Sequence, residues 1–129
     1  MGVESFNHFN IRAPRHLLEA VRAFYESALG LEVGARPAFS THGYWLYLGE
    51  QPVLHLMEWT DLPDHPSTER GYLDHVAFSC SDLPGFIAKL NELGVECSRR
   101  DFEFQGSPVT QLNLTDPVGN GVELNFSSH

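Results

Sequence analysis

The chain contains the stretch Ala28-Leu-Gly-Leu-Glu-Val33, and a near copy, Glu92-Leu-Gly-Val-Glu-Cys97, follows 64 residues later. A second match lies upstream of this stretch. There, Asn7-His8-Phe9 corresponds to Asp74-His75-Val76 at an offset of 67 residues. Similar offsets at two places in the same order indicate an internal repeat.

A third match lies near the end of each copy. Val53-Leu-His-Leu56 corresponds to Gly121-Val-Glu-Leu124 at an offset of 68 residues. Because the three matched segments occur in the same order and at nearly the same offset, the sequence predicts two copies of one structural unit.

The periodicity within each copy predicts one helix and several strands. Apolar residues recur at helical spacing from Leu17 to Leu29, and Gly30 follows as the helix C-cap. In the second copy, Ser81-Asp82-Leu-Pro84 predicts a helix start, and Gly94 predicts its end. The first copy has the order βαβββ, the repeat predicts the same order for the second, and the predicted fold class is α+β. The strands named from the pattern are 5–11, 31–35, 44–48, 53–59, 72–78, 109–115 and 121–127.

The repeat also predicts the domain organisation. At 129 residues the chain is long enough for one domain made of two small modules. We place module 1 at about 5–59 and module 2 at about 72–128. The segment 60–71 between them is rich in Pro, Gly and Asp and lacks periodicity, which is typical of a linker.

The composition excludes several classes of partner. Eight Lys and Arg against seventeen Asp and Glu give a net charge of −9, so nucleic acid and anionic membrane surfaces are not expected partners. No apolar run is long enough to span a bilayer, and the first residues lack the pattern of a secretory signal. The two cysteines, Cys80 and Cys97, suit a reducing compartment, so we expect a cytoplasmic protein.

Four side chains that can bind a metal occupy corresponding positions of the two copies: His8 and His55 in the first, His75 and Glu123 in the second. Imidazole nitrogen and carboxylate oxygen are ligands of Fe(II), Mn, Ni and Zn. If equivalent strands converge, these four groups meet around one divalent ion. Two imidazoles and one carboxylate leave open positions on the ion, as metal catalysis requires.

Strand alternation also predicts which side chains face the substrate. Two amides of the segment 109–115 lie on the face opposite its leucines, and one amide of 121–127 shares the face of Glu123. An aromatic wall with a few amides is typical of a pocket for a small, largely neutral or planar molecule. The residues predicted to line this pocket are Gln111, Asn113 and Asn125, with Trp45 and Tyr47 as the aromatic wall.

Four motifs carry a resemblance to a known family: Asn7-His8, Ala23-Phe-Tyr-Glu-Ser-Ala-Leu-Gly-Leu31, Asp74-His-Val-Ala-Phe78 and Thr115-Asp-Pro-Val-Gly-Asn-Gly-Val-Glu-Leu124. Together they resemble the vicinal oxygen chelate superfamily, which includes glyoxalase I, bleomycin and fosfomycin resistance proteins, methylmalonyl-CoA epimerase and type I extradiol dioxygenases. The resemblance covers nearly the whole chain. It implies two βαβββ modules that curl into a mixed β-sheet cup with helices outside, a divalent metal in the cup, and a homodimer.

The resemblance also assigns roles to residues. His8, His75 and Glu123 match the metal ligands common to the catalytic members. His55 stands where glyoxalase I has a glutamate and where the epimerases tend to have a glutamine. We expect His55 to be a fourth ligand and, together with Glu123, a catalytic residue.

Several functions remain open at this point. The favoured hypothesis is a metal-dependent enzyme that acts on a small oxygen-chelating substrate, and we favour a dioxygenase because His55 replaces a carboxylate base. One alternative is a glyoxalase I-like lyase or isomerase, and another is a fosfomycin-type thiol transferase. The alternative from a different class is a non-catalytic small-molecule binding or resistance protein.

Overall fold

A computed structural model describes residues 1–63, 65–66 and 71–127 of the chain. It contains eight strands and two helices in the order βαβββ-βαβββ, which confirms the predicted α+β class. Parts of the predicted linker 60–71, and the last residue of module 2, lie outside the described residues. The elements are β1 Phe9–Ala13, α1 Arg15–Ser27, β2 Glu32–Gly34, β3 Gly43–Leu48, β4 Gln51–Glu58, β5 His75–Cys80, α2 Leu83–Leu93, β6 Ser98–Phe104, β7 Ser107–Thr115 and β8 Gly121–Ser127.

The chain forms two compact units, Met1–His65 and Pro66–His129, and each contains one four-stranded mixed sheet. The strand order is β1-β4-β3-β2 in the first unit and β5-β8-β7-β6 in the second. In both sheets the first and last strands of the module pair in parallel, and the remaining pairs are antiparallel. The two units therefore share one topology. Within the described residues, no helix is long and apolar enough to cross a membrane.

In the first unit, one face of the sheet is covered by α1. The helix buries Leu18, Val21 and Tyr25, and the Tyr25 ring meets the Phe9 ring of β1 edge-on at 6.3 Å. On β4, Leu54 and Leu56 are buried, so the residue between them, His55, lies on the opposite face of the sheet.

The second unit follows the same plan. The ring of Phe86 on α2 packs edge-on against Phe126 of β8, with 5.5 Å between ring centroids. Val122 and Leu124 share the face of Phe126 and are also buried. Glu123 therefore points to the face of the sheet that α2 does not cover.

The turn before β8 is held by a buried carboxylate. Asp116 is 3% exposed, and its Oδ1 atom accepts hydrogen bonds from the backbone N–H groups of Val118 at 3.0 Å and Asn120 at 2.9 Å. Gly119 adopts a φ of 97°, which a residue with a side chain rarely does. This turn joins β7 to β8 and sets the register that positions Glu123 opposite Asn113.

Several strand boundaries differ from the sequence prediction, and one strand was not predicted; β5, for example, begins at His75 rather than Tyr72. The first strand begins at Phe9 rather than Ser5, so His8 directly precedes β1 instead of lying within a strand. The strand β6 was not named from the sequence, because Ser98-Arg-Arg-Asp-Phe-Glu-Phe104 has three charged residues in a row and lacks apolar alternation. It lies at the edge of its sheet, and charged residues are common on edge strands.

Candidate metal site

The first unit brings His8 and His55 into direct contact. In the parallel pair β1 and β4, Phe9 lies opposite Leu54, which places His8 beside the start of β4 and near His55. The two imidazole rings are stacked, with 3.6 Å between centroids and 13° between planes. Two of the four predicted ligands are therefore neighbours on the side of the sheet that faces away from α1.

The other face of the His55 ring is covered by Trp45. These residues are direct partners across the antiparallel pair β3 and β4, and their rings stack at 3.9 Å and 8°. The Phe39 ring lies 6.4 Å from Trp45 at a tilt of 52°. The His55 imidazole is thus held between two parallel aromatic rings, and Trp45 contacts a candidate ligand directly.

The ring nitrogens of His55 have different surroundings. Its Nε2 lies 3.1 Å from the carbonyl oxygen of Pro52, an oxygen that can only accept a hydrogen bond. Burial lowers the pKa of His55, and the nearby charges of His8 and Arg36 lower it further, while the hydrogen bond to Pro52 raises it. Because the net shift is downward, the ring is neutral at neutral pH, as a metal ligand must be.

The second unit brings His75 and Glu123 together at corresponding positions. In the parallel pair β5 and β8, His75 lies opposite Gly121, so Glu123 is two residues further along the same face. His75 Nε2 and Glu123 Oε2 are 3.8 Å apart. This distance is too long for a hydrogen bond. It is close to the roughly 3–3.5 Å between two ligand atoms that each lie about 2.1 Å from one ion.

Each of the two repeated histidines donates a hydrogen bond to the residue that precedes it. Asn7 Oδ1 lies 2.7 Å from His8 Nδ1, and Asp74 Oδ2 lies 3.0 Å from His75 Nδ1. Each Nδ1 therefore carries the proton, which leaves Nε2 with the lone pair. Such an acceptor behind a metal-binding histidine orients the ring and fixes its tautomer.

The predicted pocket amides lie around Glu123. Asn125 donates from Nδ2 to Glu123 Oε2 at 3.1 Å. Asn113 is the direct cross-strand partner of Glu123, and Gln111 is the partner of Asn125. The three amides and the carboxylate therefore share one face of the second sheet.

The predicted aromatic wall lies on β3. Tyr47 donates its hydroxyl to the carbonyl oxygen of Ala35 at 2.7 Å, so its polar end is held by the loop that follows β2. Gly34 permits this position, because a Cβ there would lie 2.7 Å from the Tyr47 ring. Trp45, two residues earlier on β3, stacks on His55.

The chemistry of the donor set fits a divalent ion, since three imidazoles and one carboxylate are ligands of borderline metals. The structure brings these donors together in pairs, one pair in each unit. Among residues 1–63, 65–66 and 71–127, no three His, Cys, Asp or Glu side chains come together as a group that could hold a metal ion.

Several residues near these pairs were not predicted from the sequence. Asn7 and Asp74 precede the repeated histidines, and the shared acidic or amide residue at this position was a signal that could have identified them. No sequence pattern indicated a role for Arg36, because its position depends on the loop between β2 and β3. Its guanidinium lies 5.0 Å from the Phe39 ring centroid, and its Nε is buried without a hydrogen-bond partner in the described part of the chain.

A cavity of about 420 Å³ lies elsewhere in the second unit, beside the start of α2. Its lining includes Asp82, Pro84, Thr110 and Phe126, and it does not include His75 or Glu123. The cavity is therefore separate from the His75–Glu123 pair of this unit.

Fold and site together define a class of protein. Two βαβββ modules each present a pair of side chains of types that can bind a metal, on the sheet face that their helix leaves uncovered. The chain belongs to the Glyoxalase/Bleomycin resistance protein/Dioxygenase superfamily, whose family model matches residues 5–124. This match confirms the resemblance inferred from the sequence motifs.

Relatives with known names support the same family. The chain is 29% identical to Glyoxylase I 4 of Arabidopsis thaliana, over 96% of this chain and 71% of the relative. It is also 29% identical to the uncharacterized protein YaeR of Escherichia coli, over 96% of this chain and 97% of the relative. A solved glyoxalase family protein from Enterococcus faecalis has 31% identity and a TM-score of 0.66, with 95% of this chain and 97% of that chain covered.

Proposed function

We propose that the protein is a divalent-metal-dependent enzyme that acts on a small substrate chelating the ion through two oxygens. One observation carries the proposal: the His8–His55 and His75–Glu123 pairs occupy corresponding register positions in two modules of one topology. We propose that His8, His55, His75 and Glu123 are metal ligands and that the metal is Fe(II), Mn, Ni or Zn.

The side chains support specific roles. A divalent ion bound there would polarise substrate oxygens and stabilise negative charge that develops on them. His55 has one nitrogen lone pair, which binds the ion; only when His55 is released from the ion can this lone pair accept a proton from substrate. Glu123 holds a carboxylate near His75 and accepts a hydrogen bond from Asn125, which orients it. Gln111 and Asn113 share the face of Glu123 and are proposed to hydrogen-bond the substrate, and the Trp45 and Tyr47 rings are proposed to form its aromatic wall.

The residue type at position 55 bears on the choice between two reaction classes. A dioxygenase is our first candidate, because proton-transfer chemistry would use a carboxylate base at this position, and this chain has the imidazole of His55 instead. A lyase or isomerase of the glyoxalase I type is the second candidate, and the relative named Glyoxylase I 4 favours it.

The metal is tested first. Protein purified without added metal is analysed for Fe, Mn, Ni and Zn, and the metal-free protein is then titrated with each ion. We expect one ion per chain at saturation. Substoichiometric metal after purification together with no binding on titration would contradict the enzyme proposal and favour a non-catalytic small-molecule binding protein.

The reaction class is tested next with the loaded protein. Oxygen uptake with catechols is expected for a dioxygenase. Isomerisation of the adduct of methylglyoxal and glutathione without oxygen uptake would replace that assignment by a lyase. Glutathione addition to fosfomycin would instead identify a thiol transferase.

We also propose a homodimer in a reducing, cytoplasmic environment. Each sheet has two edge strands, β1 and β2 in the first and β5 and β6 in the second, and a second copy can cover such edges. Both cysteines, Cys80 and Cys97, are free thiols, as expected in a reducing compartment. Sedimentation at micromolar concentration is expected to give a dimer, and a monomer alone would contradict this part of the proposal.

A further inference from the structure

Arg36 is a half-buried cation without an acidic partner in the described part of the chain. Other arginines, such as Arg15, Arg22 and Arg99, form ion pairs with neighbouring carboxylates. The chain has seventeen Asp and Glu, yet none of those described pairs with Arg36. A guanidinium has five N–H donors and no acceptor, so its donors here have no protein acceptor.

Two further arginines stack on aromatic rings, but their surroundings differ from those of Arg36. Arg12 lies over the Trp59 ring at 4.6 Å, and Arg100 lies over the Phe102 ring at 5.2 Å. Both arginines are exposed, so water can accept their hydrogen bonds. Arg36 is half-buried, and its Nε is shut off from solvent.

Aromatic contacts place Arg36 on the face of the first sheet that α1 leaves uncovered. Its guanidinium carbon lies 5.0 Å from the Phe39 ring centroid, and the Phe39 ring lies 6.4 Å from that of Trp45. Leu46 is buried, so its neighbour Trp45 faces away from α1, and Gly43 shares the face of Trp45. Gly43 leaves room for the guanidinium, because a Cβ there would lie 2.9 Å from Arg36 Nη2.

The charge of Arg36 is also near the histidine of this face. The Trp45 ring stacks on His55 at 3.9 Å. Burial lowers the pKa of His55 most, and the positive charge of Arg36 is close enough to lower it further. Of the Arg36 nitrogens, only Nε is buried without a partner among the described residues, so the two Nη groups are open to an acceptor from outside.

We propose that Arg36 binds an oxyanion of the substrate, a carboxylate or a phosphonate, through its Nη groups, with Phe39 and Trp45 beside the apolar part of the molecule. The planar guanidinium matches two oxygens that share a negative charge. In a chain with a net charge of −9, an anionic substrate needs such a local cation. The inference rests on the proposed function in assigning the anion to the substrate. It changes the expected substrate from a largely neutral molecule to one with an anionic group.

Small probes test the anion site in the metal-free protein. Benzoate and phenylphosphonate each combine an aromatic ring with an oxyanion, and benzamide is the neutral counterpart of benzoate. ¹H–¹⁵N spectra of the arginine Nε–H groups, assigned with Arg36→Gln and Arg36→Lys, report contact at this residue. We expect both anions, but not benzamide, to shift the Arg36 signal, and the tighter-binding anion identifies the group. No shift with either anion, or an equal shift with benzamide, would overturn the inference.

Variants then measure the contribution of the guanidinium to anion binding. Arg36→Gln should lower affinity for the tighter-binding anion at least about tenfold, since hydrogen bonds to charged groups contribute this much. Arg36→Lys keeps the charge but not the planar pair of donors, so a smaller loss is expected. Arg99→Gln is the matched control, because it makes the same change in net charge at an exposed residue of the other unit. Equal affinity losses in Arg36→Gln and Arg99→Gln would overturn the inference in favour of a general charge effect.

Urea unfolding shows whether each variant is folded. Should Arg36→Gln fail to fold, Arg36→Lys and the comparison of benzoate with benzamide in the parent protein decide the question. Zinc titration separates this inference from the proposed function. Zinc binding without anion binding at Arg36 would overturn the inference and leave the proposed function intact. Anion binding at Arg36 without zinc binding would support the anion site, contradict the enzyme proposal, and make Arg36 the anchor of a non-catalytic binding protein.

Discussion

The two modules share a backbone plan but hold their candidate ligand pairs through different interactions. In the first module, His55 is held between the rings of His8 and Trp45. In the second, His75 donates a hydrogen bond to Asp74, and Glu123 accepts one from Asn125. One register therefore supports a stacked pair of imidazoles in one unit and an imidazole–carboxylate pair in the other.

This difference indicates how a repeated unit can present two chemically different pairs of side chains. Aromatic stacking fixes the plane of a ring but adds no charge, whereas a carboxylate and its partners add charge and fix a direction. The second module is thus suited to provide most of the electrostatic attraction for a cation, and the first module is suited to provide shape and an imidazole that can exchange.

The largest expected effect separates the two pairs directly. Glu123→Gln keeps the shape of the side chain but removes the only carboxylate of the proposed set, and His75→Ala removes its neighbour. For both we expect zinc affinity to fall more than about 100-fold, beyond the range for groups that only orient ligands. His55→Ala should cause a smaller loss if it is an exchangeable ligand. Isothermal titration with Zn²⁺ measures all three.

The control for these variants is His65→Ala, an exposed histidine in the segment 60–71. It should bind Zn²⁺ as tightly as the parent protein. If His65→Ala loses metal while Glu123→Gln retains it, the proposed site is wrong and the segment 60–71 contains the ligand.

A smaller effect is expected from the acceptors behind the histidines. Asp74→Ala should lower zinc affinity about 10–100-fold, and Asn7→Ala should lower it less, because a hydrogen bond to a carboxylate is stronger than one to an amide. The reciprocal change Asn7→Asp should increase affinity. Equal losses in Asp74→Ala and Asn7→Ala would contradict the view that the second module provides most of the electrostatic attraction.

The smallest effect concerns stability of the first module. Glu19 on α1 accepts hydrogen bonds from the Tyr44 hydroxyl at 2.7 Å and His42 Nε2 at 3.1 Å, and it pairs with Arg22. Burial raises the pKa of Glu19, but the hydrogen bonds from these three partners together lower it below its ordinary value. A carboxyl with a lowered pKa in the folded state stabilises the protein above its ordinary pKa of about 4.5 and loses this contribution as the pH falls further.

Because the Glu19 side chain is 36% exposed, we expect its contribution to be below about 1 kcal/mol. Urea unfolding of the parent and Glu19→Gln should give a difference in unfolding free energy at pH 7 that narrows below about pH 4. Glu92→Gln, on an exposed position of α2, is the control. A difference that is constant from pH 7 to pH 3 would show that Glu19 does not stabilise the module through its charge.

Much of the fold could be predicted from the sequence, because the internal repeat indicates the order of helix and strands in each module. The α1 and α2 helices follow from apolar spacing, and Gly94 is the C-cap of α2 as predicted, but α1 ends earlier than predicted, with Ala28 rather than Gly30 as its C-cap. Both glycines adopt positive φ. The charged edge strand β6 was missed, since its pairing with β7 comes from the sheet and not from its own pattern.

The candidate site was predictable as a set of residues but not as a set of contacts. Equivalent positions of the repeat identified His8, His55, His75 and Glu123, because register is a local property of paired strands. Stacking of Trp45 on His55 depends on the cross-strand register of β3 and β4, and the position of Arg36 depends on a loop. Neither has a signature in a single sequence.

The contact between Trp45 and His55 also has an optical consequence. An indole stacked on an imidazole at 3.9 Å emits in a way that depends on the charge of that imidazole, because a cationic ring withdraws electrons from the excited indole. Trp59, the other tryptophan of the chain, lies under Arg12. In a Trp59→Phe background, the fluorescence of Trp45 should therefore report protonation or cation binding at His55 in real time, without an added probe.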